Sequence, residues 1–127
     1  MAEESPLVQL TYAILLSAVK KNAEKISLHA AAAPSTPVDF VIDGAIVEEL
    51  ALPTTMLGGV VRRLSIMANL PFHERGEEAE GHIHLLFGEA QSAWFALRVF
   101  GHGPELSATV RRVSGPRAQP VVRGQYR

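Results

Sequence analysis

The sequence contains no cysteine, which removes disulfide scaffolds, thiolate metal sites and cysteine nucleophiles together. That absence suits a reducing compartment. There is no Gly-x-x-x-x-Gly-Lys-Ser/Thr stretch, and the only lysines are Lys20, Lys21 and Lys25. A phosphate cradle of that kind needs glycine-loop N–H groups and a lysine reaching the terminal phosphates, so nucleotide hydrolysis by this route is excluded. No Gly-x-Ser-x-Gly elbow presents a serine nucleophile. Long apolar runs are also missing. The stretch Leu7 to Val19 is broken by Gln9, Thr11 and Ser17 and falls short of the ~20 residues of a spanning helix. Glu3 and Glu4 stand before it where a secretory leader would carry basic residues. The expectation is a soluble, cytoplasmic chain with no membrane insertion.

What is present fits one domain: 127 residues, 47% of them hydrophobic, enough for a real core. The net charge of −1 projects no strong field toward nucleic acid or membrane. Charge is unevenly spread, however. No acidic residue follows Glu105, while Arg111, Arg112, Arg117, Arg123 and Arg127 do. With only Tyr126 as an aromatic partner these arginines form a diffuse signal, and nucleic-acid binding is not expected. Residues 1–113 are assigned to the domain and 114–127 to a flexible, extended or disordered, Arg/Pro-containing tail.

Ser5 as N-cap and Pro6 at the first helical position open a helix expected to run to about Ala23. Its apolar face is built on Leu7, Leu10, Ile14 and Ala18, with Tyr12, Leu15 and Val19 beside them. Ile26 to Ala30 alternates like a half-buried strand, and Ala31 to Pro37 reads as a loop. Val38–Ile42 and Ala45–Leu50 flank Asp43-Gly44, the pair preferred by a two-residue type I′ hairpin. A second helix follows Pro53, capped by Thr54 or Thr55. It sets Met56, Leu57, Val60, Val61, Leu64, Met67 and Ala68 on one face. Gly58, Gly59, Arg62, Ser65, Ile66 and Asn69 lie on the other, and Pro71 is expected to end it. Residues 73–81 read as an acidic loop. Strands are expected over 82–87, 92–100 and 106–113, joined by connections short enough for hairpins. This order implies an α+β fold: an antiparallel sheet of the PAS-like or profilin-like kind with two main helices packed against it.

Candidate chemistry is sparse. His82 and His84 share one strand face and would need His73 or Glu80 to complete a metal site; solvent-facing histidines are the plainer account. The cluster Glu74, Glu77, Glu78 and Glu80 lacks the Asp-x-Asp-x-Asp-Gly pattern of a calcium loop. No desolvated pocket is implied that would split a carboxylate pair into acid and base. Gly101-His102-Gly103 is a turn, since no helix follows it. No catalytic residue, cofactor or metal is assigned. Trp94 and Phe95 adjoin on a strand, so one points inward and one outward.

Three segments carry a resemblance over about residues 8–113. These are Ala23-Glu24-Lys25-Ile26-Ser27-Leu28-His29, then Val41-Ile42-Asp43-Gly44, then Arg63-Leu64-Ser65-Ile66-Met67-Ala68-Asn69-Leu70, with Gly81 and Leu97-Arg98-Val99 beyond. In type and order they resemble the domain preceding the motor core in type II secretion, type IV pilus assembly and twitching-retraction ATPases. The departures are instructive. Where that family carries Glu-Lys-Arg-x-Pro-Gln-Asp-Gly-Arg, this chain has Glu74-Arg75-Gly76-Glu77-Glu78-Ala79-Glu80-Gly81-His82. Val41 also stands at a family arginine position, and only Arg63, Arg75 and Arg98 keep cations near family cationic positions.

The resemblance therefore implies a non-catalytic interaction or regulatory module without the motor. It would bind a pilus, secretion or motility component through Gly58, Gly59, Arg62, Arg63, Ile66 and Arg98. A free sheet edge would also admit a second copy. The alternative is a PAS-like sensor holding a small ligand between sheet and helices, although the inward positions are mostly aliphatic and imply a filled core.

Overall fold

The computed structural model describes residues 5–70 and 78–115. The expected loop residues 73–77 and the tail from 116 onward, with Pro71, His73, Glu74, Arg75, Gly76 and Glu77, lie outside the described residues.

Helix α1 spans Pro6–Lys20 and opens as the sequence implies, with the Ser5 hydroxyl accepting from the Val8 N–H at 3.2 Å. It stops three residues before the expected end. Asn22 turns into the left-handed region (φ 56°). Ala23 N–H then reaches the Ala18 carbonyl at 2.9 Å, and Asn22 N–H reaches Val19 at 3.2 Å. This paired closure satisfies carbonyls the last turn would leave open. Helix α2, Thr54–Met67, closes in the same manner. Asn69 sits at φ 59° and the Leu70 N–H bonds the Ser65 carbonyl at 2.8 Å. Asparagine, not Pro71, ends this helix.

The start of α2 differs from expectation. Pro53 holds the cap position, and neither Thr54 nor Thr55 makes a capping bond. The Thr54 hydroxyl instead donates to the Ala33 carbonyl at 2.6 Å and lies 3.0 Å from the Thr36 hydroxyl. It ties the 31–34 loop to the head of the helix.

Six antiparallel strands form one sheet: β1 (Lys25–His29), β2 (Ser35–Ile42), β3 (Ala45–Pro53), β4 (Ala79–Phe87), β5 (Gln91–Phe100) and β6 (Ser107–Val113), in the order β3-β2-β1-β6-β5-β4. The sheet is two meanders joined where β1 pairs β6. The expected hairpin is present, with Asp43 at φ 52° and Gly44 at φ 80°, both positive as the type I′ turn requires.

Two stretches expected as loop are strand. Ser35 to Pro37 extend β2 because β3 continues to pair with them, Pro37 facing Ala51. β1 stops pairing at Val38, so the proline sits where β2 has one neighbour only and its missing N–H is tolerated. Ala79 to Gly81 extend β4 by pairing with Val99 to Leu97.

Both helices cover one sheet face. Leu15, Ile26, Leu28, Phe40, Val60, Ile83, Phe95, Leu97 and Val110 are all fully buried there. The sequence periodicity of α2 holds for Leu57, Val60, Val61, Leu64 and Ala68. Ser65 departs from its expected polar face: it is buried and its hydroxyl donates to the Val61 carbonyl at 2.9 Å. An intrahelical bond of this kind satisfies a buried hydroxyl without a tertiary partner.

Candidate interaction surfaces

The residues proposed from sequence as a partner surface divide into three groups. Gly58, Arg62 and Ile66 follow one another at i, i+4 and i+8 along the solvent side of α2, with Ile66 52% exposed. This spacing keeps them on one face. Gly59 does not belong with them. A Cβ there would lie 2.6 Å from Leu7 Cδ2, so the missing side chain lets α1 and α2 approach. Arg63 is half-buried, and its Nε–H is buried without a partner.

Arg98 is separated from all of these. Leu97 points to the helices, so Arg98 points to the opposite sheet face. There its Nε–H donates to Glu78 and lies 3.9 Å from Glu80. The guanidinium holds the Glu78 carboxyl below its ordinary range, and Glu78 in turn raises Arg98. A cation that sequence offers to a partner is already engaged within the chain.

The face opposite the helices is covered by no described element. Across it, the register sets two parallel rows of side chains. One row runs Ile46, Val41, Lys25, Arg111, Ala96, His82 from β3 to β4; the next runs Glu48, Asp39, Ser27, Thr109, Arg98, Glu80. Trp94 also lies on this face, stacked on His84 with centroids 4.1 Å apart and planes within 4°. Its neighbour Phe95 is buried in the core, which settles their opposite directions. His82 and His84 share the face, as alternation requires. Among the described residues no group of three or more metal-ligating side chains converges.

Sequence reasoning missed Glu49. A bulge between Val38 and Asp39 leaves Glu49 unmatched in β3, and bulges re-aim side chains. Its carboxylate accepts from Lys21 Nζ at 2.7 Å and from the Ser17 hydroxyl at 2.8 Å. The Lys21 bond holds the Glu49 carboxyl below its ordinary value of 4.5, against the upward push of burial. The stability carried by this link is complete above about pH 4.5 and is lost as the pH falls through the depressed value. Glu49→Gln is expected to lower the melting temperature at pH 7 by about 3 °C. The gap to the unsubstituted chain should close on acidification. A gap that stays constant from pH 7 to pH 3 in thermal melts would refute the link.

Between helices and sheet, the space lined by Ile14, Leu15, Ile26, Leu28, Val60 and Leu64 leaves ≈ 0 Å³ for a water-sized sphere. Ligand pockets occupy about 300–1,000 Å³. This space between helices and sheet is filled, as the inward positions imply. An open groove of ≈ 580 Å³ lies outside, between Tyr12 and the β4–β5 turn, where the Tyr12 hydroxyl donates to the Leu86 carbonyl at 3.0 Å.

No protein-family model matches the chain. Over 98 residues, or 77% of its length, it is 32% identical to the type IV pilus assembly ATPase PilB of Myxococcus xanthus strain DK1622. The chain resembles the front domain of these ATPases. The match spans 17% of PilB. Two solved structures share the fold: the ATPase DotB of Legionella pneumophila (TM-score 0.62, 13% identity) and the pilus retraction motor PilT bound to ADP (TM-score 0.52, 20% identity). Each is matched over 89% of this chain and about a third of its own length, 32% and 30% respectively. Among the described residues no helix is long and apolar enough to cross a membrane.

Proposed function

We propose that this domain is a non-catalytic interaction module of type IV pilus or secretion machinery, cytoplasmic, and regulatory in effect. The observation that carries the reading is the 32% identity to PilB over 98 residues, in a sequence that holds no phosphate-binding loop. The similarity is confined to 17% of PilB, a part resembling the front domain of these ATPases, and the matched residues include no lysine-bearing loop of the kind hydrolysis requires.

The partner contact is assigned to the exposed stripe of α2, Gly58, Arg62 and Ile66, with Gly59 and Arg63 shaping its border. An apolar side chain beside an exposed guanidinium is a composition favoured at interfaces. The outer edge of β3, paired with no described strand, is a second contact, open to a partner strand or to a second copy. Ile46 is 74% exposed and Val47 42% exposed on it, and an uncovered edge of this kind invites strand addition. Arg98, held by Glu78 and Glu80, belongs to neither.

The test is affinity capture from a source-cell lysate with mass-spectrometric readout, run beside an Arg62→Glu variant. Pilus or secretion proteins should be enriched by the unsubstituted chain. Arg62→Glu should reduce their capture more than about tenfold with the melting temperature nearly unchanged. Capture at undiminished strength by the variant would remove the α2 stripe from the interface. A preparation enriched in no pilus or secretion component would overturn the reading itself.

A further inference from the structure

The open sheet face contains an electrostatic conflict. Lys25 of β1 and Arg111 of β6 are direct cross-strand partners, which places their Cβ atoms about 4.5–5.5 Å apart. Both point away from the helices, because Ile26 and Val110 beside them are buried in the core. Their row neighbours are Val41 on one side and Ala96 on the other, so neither cation has a carboxylate directly opposite it, and Asp39, beside Val41 on β2, is diagonal to Lys25. Neither makes a hydrogen bond or ion pair with another described residue. Like charges set directly opposite one another oppose pairing of their strands. Here they stand at the β1–β6 junction that holds the two meanders together.

We propose that this cation pair is a docking site for a short acidic segment of a protein partner, distinct from the α2 stripe. One or two carboxylates over Lys25 and Arg111 would convert the opposition into two charge-assisted hydrogen bonds, the guanidinium binding in a fork. The next row supports this. Ser27 and Thr109 are cross-strand partners on the same face, and their hydroxyls are additional donors to a carboxylate. Val41 and Ile46 continue the cationic row toward β3 and offer apolar contact to a neighbouring side chain of the segment.

Charge pattern narrows the occupant. Glu48, Asp39 and Glu80 flank the donors in the adjoining row. They would repel a continuous polyphosphate backbone but accept an acidic stretch that ends or changes sign within a few residues.

The test is two-dimensional amide NMR on the full chain titrated with acetyl-tetraglutamate amide, acetyl-tetralysine amide and inorganic phosphate. Tetraglutamate should shift the amides of Lys25, Ser27, Thr109 and Arg111, and tetralysine should not. The Lys25→Gln/Arg111→Gln double variant should weaken tetraglutamate binding about tenfold, each single variant should weaken it less, and Arg62→Gln should leave it unchanged. Relief of the opposition also requires that the double variant melt no lower than the unsubstituted chain in low salt. Shifts absent, scattered over other surfaces or surviving the double substitution would overturn the proposal. Phosphate binding as tight as tetraglutamate would overturn the protein source and leave a bare anion site.

Discussion

Gly101→Ala is expected to lower the melting temperature by about 10 °C or more. Gly101 follows β5 at φ +77°, where an L side chain brings its Cβ against the following carbonyl at a cost of about 1–2 kcal/mol. A collision with neighbouring backbone adds more. A Cβ there would lie 2.0 Å from the Glu105 carbonyl oxygen and 2.8 Å from its carbon. Backbone atoms cannot rotate aside as a side chain can, so the 3₁₀ turn Gly103–Glu105 would have to move. That turn aligns Leu106, whose carbonyl accepts the Ala30 N–H at 2.9 Å, and Ser107, which is hydrogen-bonded to His29 Nδ1 at 2.6 Å. Strain and displacement together should exceed about 3 kcal/mol. Gly58→Ala is the contrast, since nothing lies within 4 Å of its missing Cβ. There alanine should raise stability by up to about 1 kcal/mol. Equal melting temperatures for Gly101→Ala and the unsubstituted chain would show that the turn is not held as described.

Phe95→Ala should be comparably severe, with a loss of about 3–5 kcal/mol. Phe95 is 1% exposed on the sheet's buried face, paired across to Ile83 on β4 and to Arg112 on β6. Truncation would open a cavity among rigid strands with little freedom to collapse. It would also strip the ring from beneath the Arg112 guanidinium, which lies 5.7 Å from its centroid. Burial pushes Arg112 below its ordinary value, so that half-buried charge depends on its surroundings. Phe95→Leu retains most of the apolar volume and should cost less than half as much. Total stabilities of about 5–15 kcal/mol leave little margin for the alanine variant. Urea denaturation of the three chains would decide it, and an alanine loss below about 1 kcal/mol would contradict the packing described.

What can be read from sequence is mainly what depends on neighbours along the chain. Asp43-Gly44 determines its own turn, because both residues tolerate positive φ and strand-forming residues flank it on both sides. The buried stripe of α2 is a repetition at three and four residues. Asn22 and Asn69 carry a readable signal for left-handed helix ends, outweighed by the apolar periodicity and by Pro71. Other features depend on register between strands remote in sequence. Nothing adjacent to Lys25 indicates that Arg111 lies opposite it. Nothing near Glu49 indicates a bulge that turns it onto Ser17 and Lys21. Sequence groups Arg98 with Arg63 because both are cations in segments that resemble one family. The strand parity of Leu97 puts them on opposite sides of the molecule.

The β1–β6 junction has a kinetic consequence. Each meander is assembled from strands that follow one another through short turns, so its pairing closes only small loops. The junction instead brings Lys25 to Arg111 and His29 to Ser107, uniting the two ends of the domain after everything between has been placed. Loop closure of that span is entropically costly before any contact rewards it. The two halves would thus gain structure early and separately, and their joining would set the folding rate. Because α2 leads from the outer strand of one half to the outer strand of the other, the same helix that carries the proposed contact stripe also holds the halves at the spacing from which they can join.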